Sequence, residues 1–540
     1  MDELLVVIPA LKKRVAFPDD LVKKLDGVTL IQRTIQIGLS LVPTSQILVI
    51  TDSEEINLIC QRQDVASYFD SGLRLPERTI SPLDIVTCLD AYCGQWSHLM
   101  MLSPYAPLLT SEILRTAYEH YGANDAEYLV PVIRLHANQF TPWPATLTEK
   151  LQTKGNIQIV ESAVFSITCR VLLEGEIDRK VQPLAFPLDE APLEIRNYQD
   201  WWICEKLLNR RRIVFRVIGY NAVGMGHIYR CLALAHEISD HEVYFVCDSE
   251  SVIAATKIAG YDYWLGVYSP EAIEQAIIDL KPNLVVNDIL NTDECYILRL
   301  KENGVSVVNY EDLGNGAVEA DITINDLYDE PLFPGDRILW GHNWFFLRDE
   351  FQDASPNEFQ NRVNRLLITF GGTDPSDFTR RVLSLVALYC ADEGITIDVV
   401  TGDGYGYIQE LQTLIASLSA TVTYTHTTGV ISRIMENTQL AICSNGRTVY
   451  ELAHMNIPAV VLSHHARELS HRFACEENGF LPLDIPNGPK LDPAILSAFR
   501  KLVVDSAYRK MLFNNMKNHS FIGNKHKVVE QLQNLLCKAK

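Results

Sequence analysis

The chain has 540 residues, 47% hydrophobic and 21% charged, with a formal net charge of −21. That length exceeds one ordinary core and points to three or four folding units, and the apolar share excludes a disordered chain. The acidic balance argues against bulk binding to a nucleic-acid backbone and against adsorption to an anionic membrane, so no nucleic-acid partner is expected.

In chain order, Met1-Asp2-Glu3 is acidic where a secretory leader would be basic. The apolar run Leu4–Ile8 predicts a buried strand stopped by Pro9, followed by a basic loop and an amphipathic helix around Thr29–Leu41. A strand at Gln46–Ile50 ends in the acidic turn Thr51-Asp52-Ser53-Glu54-Glu55. Strand His98–Leu102, turn Ser103–Pro107, a helix from Ser111 and strand Tyr128–Val132 continue a doubly wound α/β pattern. A new start follows Arg210-Arg211-Arg212: strand Ile213–Ile218 enters a Gly-rich loop and a helix. Strands His241–Val246, Asn283–Val286, Val305–Val308 and Asp321–Ile324 then alternate with helical segments. After the polar linker Asp353–Gln360, a third start at Arg365–Phe370 leads to strands Ile395–Val400, Ala420–Tyr424, Leu440–Cys443 and Ala459–Leu462 and a helical end. The pattern divides the chain into 1–208, 209–360 and 361–540. No apolar run approaches bilayer-spanning length, and the twelve cysteines are scattered without a C-x-x-C pair, Cys88 and Cys93 lying closest. A cytoplasmic protein with reduced thiols is expected.

Three motifs carry chemistry in the last two segments. Gly224-Met225-Gly226-His227 opens a helix, where glycines let a ligand approach and free N–H groups face it. His227, at the helix mouth, is suited to act as a base at neutral pH. Gly371-Gly372-Thr373 again joins a strand to a helix and is suited to cradle phosphate. In Ser444-Asn445-Gly446-Arg447-Thr448 the loop N–H groups and Arg447 would meet phosphates, and Glu451, one turn later, would accept the hydroxyls of a ribose. Each motif alone also reads as an ordinary strand–helix turn. His464, His465, Glu468 and His471 read as a polar loop at a cleft rim in preference to a metal site.

Together these motifs resemble the GT-B fold, and within it the UDP-sugar hydrolase of pseudaminic acid biosynthesis, over about residues 212–535. The resemblance rests on G-x-G-H-x-x-R ending at Arg230, Phe370–Pro375, the Asn-Gly-x-Thr-x-x-Glu loop ending at Glu451, and the paired acids Glu311-Asp312. It implies uridine and ribose bound by the C-terminal half, and a water activated by His227 that displaces UDP from the anomeric carbon with no metal. Ile289 stands where that family carries a Tyr, and Ala466 where it carries the Asn of Asn-Gln.

In the first segment, Pro9-Ala10-Leu11-Lys12-Lys13-Arg14 places cations after a strand, an arrangement that grasps a triphosphate. With Thr51–Glu55, Leu102–Leu108 (which contains Ser103) and Ala163–Phe165, it resembles the sugar cytidylyltransferases that make CMP-sialic acids, over about residues 3–205. The resemblance implies CTP and a CMP-sugar as ligands, Mg²⁺ held near Glu194, and a homodimer. The loop lacks the family's glycines, and Arg196 stands in place of its second metal-binding carboxylate.

The expected fold class is therefore α/β: a Rossmann-like nucleotidyltransferase domain followed by a GT-B fold of two Rossmann-like halves. The expected function is a bifunctional nucleotide-sugar enzyme of nonulosonic acid or surface-glycan precursor synthesis. A GT-B glycosyltransferase with a cytidylyltransferase-like partner domain is the alternative reading. A nucleotide-binding scaffold with one inactive domain is the third.

Overall fold

The structure, a computed structural model, describes residues 3–12, 19–75, 80–89, 92, 94–136, 157–174, 182–188, 193–220, 225–483 and 488–538. The chain forms two compact units, Met1–Arg210 and Arg211–Lys540.

The first unit carries an eight-stranded sheet. Its strands are Leu4–Ala10, Ile47–Thr51, Ala66–Phe69, His98–Leu102, Tyr128–His136, Ile157–Glu161, Phe165–Cys169 and Leu184–Pro187. Numbered in chain order they lie 8-5-7-4-1-2-3, with the sixth paired to the fifth. The 3-2-1-4 side is parallel, and Phe165–Cys169 runs antiparallel to both of its neighbours. This is a Rossmann-like half-sheet extended by antiparallel strands. The first strand runs on through Pro9 to Ala10 rather than stopping before it. Its pairing to His98–Leu102 ends at Val7, so the missing Pro9 N–H falls where it costs least. The next helix is Leu30–Leu39, started by a capping box between Thr29 and Gln32.

The second unit holds two wholly parallel sheets. In the first, Arg212–Val217, Glu242–Asp248, Trp264–Tyr268, Leu284–Asp288, Ser306–Tyr310, Ile322–Asn325 and Ile338–Trp340 lie in the order 3-2-1-4-5-6-7. In the second, Arg365–Thr369, Thr396–Thr401, Val422–His426, Leu440–Ser444, Ala459–Leu462 and Phe480–Leu483 lie 3-2-1-4-5-6. Each is the doubly wound Rossmann order, whose ligands bind beyond the carboxyl ends of the strands. Two such halves in tandem make the GT-B fold. The central strands are Val/Ile-rich because helices cover both faces, and Leu284–Asp288 is buried at every residue.

The halves exchange segments, so a division at residue 361 is too simple. In the terminal helix Asn524–Lys538, Val528, Leu532 and Leu536 pack into the core of the first half, beside Phe215, Ile228 and Leu284. Phe345, Leu347 and Phe351 join the core of the second half, beside Tyr450 and Phe473. Among the described residues no helix is long and apolar enough to cross a membrane.

Candidate active site

Described residues of all three motif loops named above open onto one cavity of about 300 Å³ between the halves of the second unit. Met225, Gly226 and His227 line it from the first half. Gly371, Gly372, Thr373, Ser444, Gly446, Arg447, Thr448 and Glu451 line it from the second. Gly224 lies outside the described residues. At the start of the helix Gly226–Glu237 the N-cap Met225 makes no side-chain cap bond, an arrangement in which the first N–H groups can meet a ligand. Gly371 has φ +78°, which a side-chain-bearing residue rarely adopts. A Cβ on Gly372 would meet Met225 Cγ at 2.7 Å, and one on Gly226 would meet Arg447 Cδ at 3.1 Å. Both glycines therefore let the halves approach closely.

His227 is tied to a buried charge network. Its Nδ1 bonds Asp288, at the end of strand Leu284–Asp288, and no described group bonds its Nε2. Arg230, one helical turn on, is fully buried and bidentate to Asp288 at 2.8 and 2.7 Å. It also reaches Glu311 at 2.6 Å and Asp326 at 3.1 Å. Burial alone would raise the Asp288 pKa, but Arg230 and His227 override it and hold the carboxyl below the ordinary range. The same contest lowers Glu311. An ionised Asp288 on Nδ1 fixes the tautomer in which Nε2 accepts a proton. Asp288 and Asp326 lie in none of the sequence motifs, and nothing in G-x-G-H-x-x-R indicates that its Arg230 clamps them. Glu311 was named only as one of a strand-end pair.

On the opposite wall, Arg348 donates to Glu451 at 3.1 Å and pairs with Glu350 at 2.9 Å. Arg348 sits in an irregular stretch with no motif, so nothing local marks it as a site residue. Arg447 is committed to Asp326 at 3.0 Å and to the Phe346 carbonyl at 3.1 Å. Asn445 does not line the cavity. Its amide donates to the Glu468 and His471 carbonyls, at 2.8 and 3.2 Å, and so braces the rim loop. From that loop Arg467 crosses the cleft to Asn291 Oδ1 at 3.0 Å and to the Glu311 carbonyl. Leu290, next to Ile289, lines the cavity with φ +66°, a strained conformation for a leucine. Burial lowers the His464 pKa to about 4, leaving a neutral imidazole stacked on Phe378.

In the first unit, Pro9 and Ala10 are buried at the carboxyl end of the first strand. The Lys12 N–H donates to Asp52 Oδ1 at 2.7 Å, and its ammonium pairs with Asp19 and Glu55, both at 3.0 Å. Lys13 and Arg14 lie outside the described residues. Ser103 follows strand His98–Leu102 and accepts from the Tyr105 N–H at 3.3 Å. Glu194 is bonded by the Arg196 guanidinium at 3.2 and 3.0 Å. That donor set does not suit Mg²⁺, which needs anionic oxygens where this chain places a cation. Among the described residues no group of three or more His, Cys, Asp or Glu could hold a metal ion.

No family model matches the chain. An uncharacterized protein of Methanocaldococcus jannaschii is 28% identical over 259 residues, 44% of this chain and 53% of that protein. The chain thus spans about half the length of that relative. The spore coat polysaccharide biosynthesis protein SpsG of Bacillus subtilis is 22% identical over 266 residues, 46% of this chain and 76% of that protein. Among solved structures, MurG of Acinetobacter baumannii aligns over 60% of this chain and 99% of its own, at 14% identity and TM-score 0.44. A CMP:2-keto-3-deoxy-manno-octonic acid synthetase complexed with CTP aligns over 38% and 98%, at 11% identity and TM-score 0.31.

Proposed function

We propose that the second unit cleaves UDP-sugars at the anomeric carbon, releasing UDP and free sugar for the synthesis of a surface glycan. The observation that carries this reading is His227, held at Nδ1 by a buried carboxylate, with Nε2 bonded by no described group at the start of the helix Gly226–Glu237 inside the cleft. Nε2 takes a proton from a water as the water oxygen bonds to the anomeric carbon. The bond from that carbon to the diphosphate oxygen breaks, and its electron pair leaves with UDP. Loop N–H groups at Gly371–Thr373 and Ser444–Thr448 hold the diphosphate, and Glu451 holds the ribose. The part played by SpsG in spore coat polysaccharide biosynthesis agrees with a glycan role.

A second reading, transfer to a hydroxyl acceptor, is favoured by Ile289 and Ala466, which supply no polar group to hold a water. The first unit is read as a CTP-binding module that makes a CMP-sugar, and no step is assigned to Mg²⁺ because Arg196 occupies Glu194. The deciding experiment incubates the full chain with UDP-amino-sugars and measures UDP release, with and without hydroxyl acceptors, for wild type and His227→Ala. Release from wild type alone supports the reading, and equal release from both removes His227 from it. Release that requires an acceptor selects transfer.

A further inference from the structure

Four carboxylates line the cavity of the second unit: Glu311, Asp403, Glu451 and Glu468. Three have a cation. Glu311 pairs with Arg230 at 2.6 Å, Asp403 with Lys257 at 3.7 Å and Glu451 with Arg348 at 3.1 Å. Glu468 has none among the described residues. Its Oε2 accepts the His464 N–H at 2.7 Å, and no described group bonds its Oε1. Oε1 lies 4.0 Å from where a Gly446 Cβ would stand, beside the loop that ends in the helix Thr448–His454.

The groups around it do not supply the missing charge. In its own loop, His464 has neither ring nitrogen bonded, and burial keeps it neutral. His465 Nδ1 accepts the Glu468 N–H at 3.4 Å, and burial lowers its pKa too. Arg467 is turned across the cleft to Asn291 and Glu311, and His471 Nδ1 is on the Asn445 carbonyl at 2.8 Å. On the neighbouring strand and loop, the Cys443 thiol is buried and Arg447 is spent on Asp326. Asp374, near His464, is capped by the Phe378 and Thr379 N–H groups. A diphosphate bound at the Ser444–Thr448 loop would thus meet, beside the loop N–H groups, a carboxyl that no described cation pairs with. An ionised carboxylate there would repel it, whereas a protonated one donates a hydrogen bond. Burial also pushes this carboxyl up to about 7, against the His464 N–H that favours its ionised form.

We propose that Glu468 works as a neutral carboxylic acid in the cleft, donating a hydrogen bond from its unbonded oxygen to the diphosphate of the bound nucleotide. The inference rests on the nucleotide-site reading above. It makes diphosphate binding a proton-uptake event and Glu468 a determinant of affinity.

The test titrates UDP into the full chain by calorimetry between pH 6 and 9, in two buffers of different ionisation enthalpy. Wild type is compared with Glu468→Gln, which keeps a donor but cannot ionise, and with Glu468→Leu, which has no donor. The terminal phosphate of UDP titrates near pH 6 in every case, so the differences between proteins isolate Glu468. Above pH 7 the wild-type Kd is expected to rise about tenfold per pH unit relative to Glu468→Gln, with close to one extra proton taken up. Glu468→Leu is expected to bind more weakly than Glu468→Gln, with the same flat difference against pH. Identical pH dependence and proton uptake in wild type and a folded variant overturn the role of Glu468 and leave the nucleotide site standing. UDP binding by none of the three proteins overturns the nucleotide site itself.

Discussion

Asp288→Asn isolates the buried network from the rest of the cleft. Asn keeps the shape of Asp288 but removes the charge that meets Arg230 at 2.8 and 2.7 Å and bonds His227 Nδ1. Two consequences follow, of different size. For the fold, Arg230 retains Glu311 and Asp326, so the loss should fall at the low end of the about 3–5 kcal/mol that breaking a buried pair costs. For chemistry, the amide no longer enforces the tautomer that leaves Nε2 free, and it cannot stabilise the imidazolium formed when Nε2 gains a proton. The same change in a Ser-His-Asp triad costs up to about 10⁴ in kcat, so a fall of about 10²–10⁴ is expected, or roughly 3–5.5 kcal/mol of transition-state stabilisation. KM should hold within a few-fold, because Asp288 does not line the cavity. The assay is UDP release under single-turnover conditions, with thermal melting to confirm that the variant is folded at the assay temperature. Residues acting as one unit are strongly non-additive, so His227→Ala/Asp288→Asn should be scarcely slower than His227→Ala alone. A folded Asp288→Asn protein within twofold of wild-type kcat, or a double variant whose losses simply add, would refute the dyad.

The other predictions concern the opposite wall and the packing. Glu468→Gln should stabilise the fold increasingly as pH rises. A carboxyl raised from 4.5 to about 7 costs nothing below its unfolded pKa, where both states are protonated, and its full penalty above pH 7. The gain should grow from zero near pH 4.5 to about 3 kcal/mol above pH 7, read from denaturant midpoints; a gain that shrinks with pH would contradict the burial argument. Glu451→Gln should weaken UDP binding about 10–100-fold, as expected for a lost charged hydrogen bond, with kcat at saturation little changed. Unchanged affinity by calorimetry would remove the ribose from Glu451. Leu532→Ala, in the terminal helix, should cost about 2–5 kcal/mol. Hydrogen exchange should localise the loosening to the core around Phe215 and Leu284 rather than to the second half.

What was legible in the sequence is what local chemistry determines. Val/Ile-rich runs ending in glycine turns mark strand–helix joints, and every such joint singled out in the second unit opens onto the cleft. What was illegible depends on partners distant in the chain. Asp288 ends an apolar strand, and nothing in Val286-Asn287-Asp288 reveals that its carboxylate faces an imidazole 61 positions earlier. The amphipathic pattern of Asn524–Lys538 shows which face is apolar but not which half receives it. Asn445 and Glu468 show the ambiguity from both sides. Each is a polar residue near a strand–helix turn, yet the fold spends Asn445 on bracing carbonyls and leaves one Glu468 oxygen unbonded. Residue type and spacing identify groups able to bind a nucleotide, and the tertiary hydrogen-bond ledger then separates those already occupied from those still available. By that criterion the groups still available in the cleft are His227 Nε2 from one half and the loop N–H groups and Glu468 from the other, which is where the proposed chemistry falls. The arginines that would ordinarily be credited with holding phosphate, Arg230 and Arg447, are held inside the protein as counter-ions to its own acids.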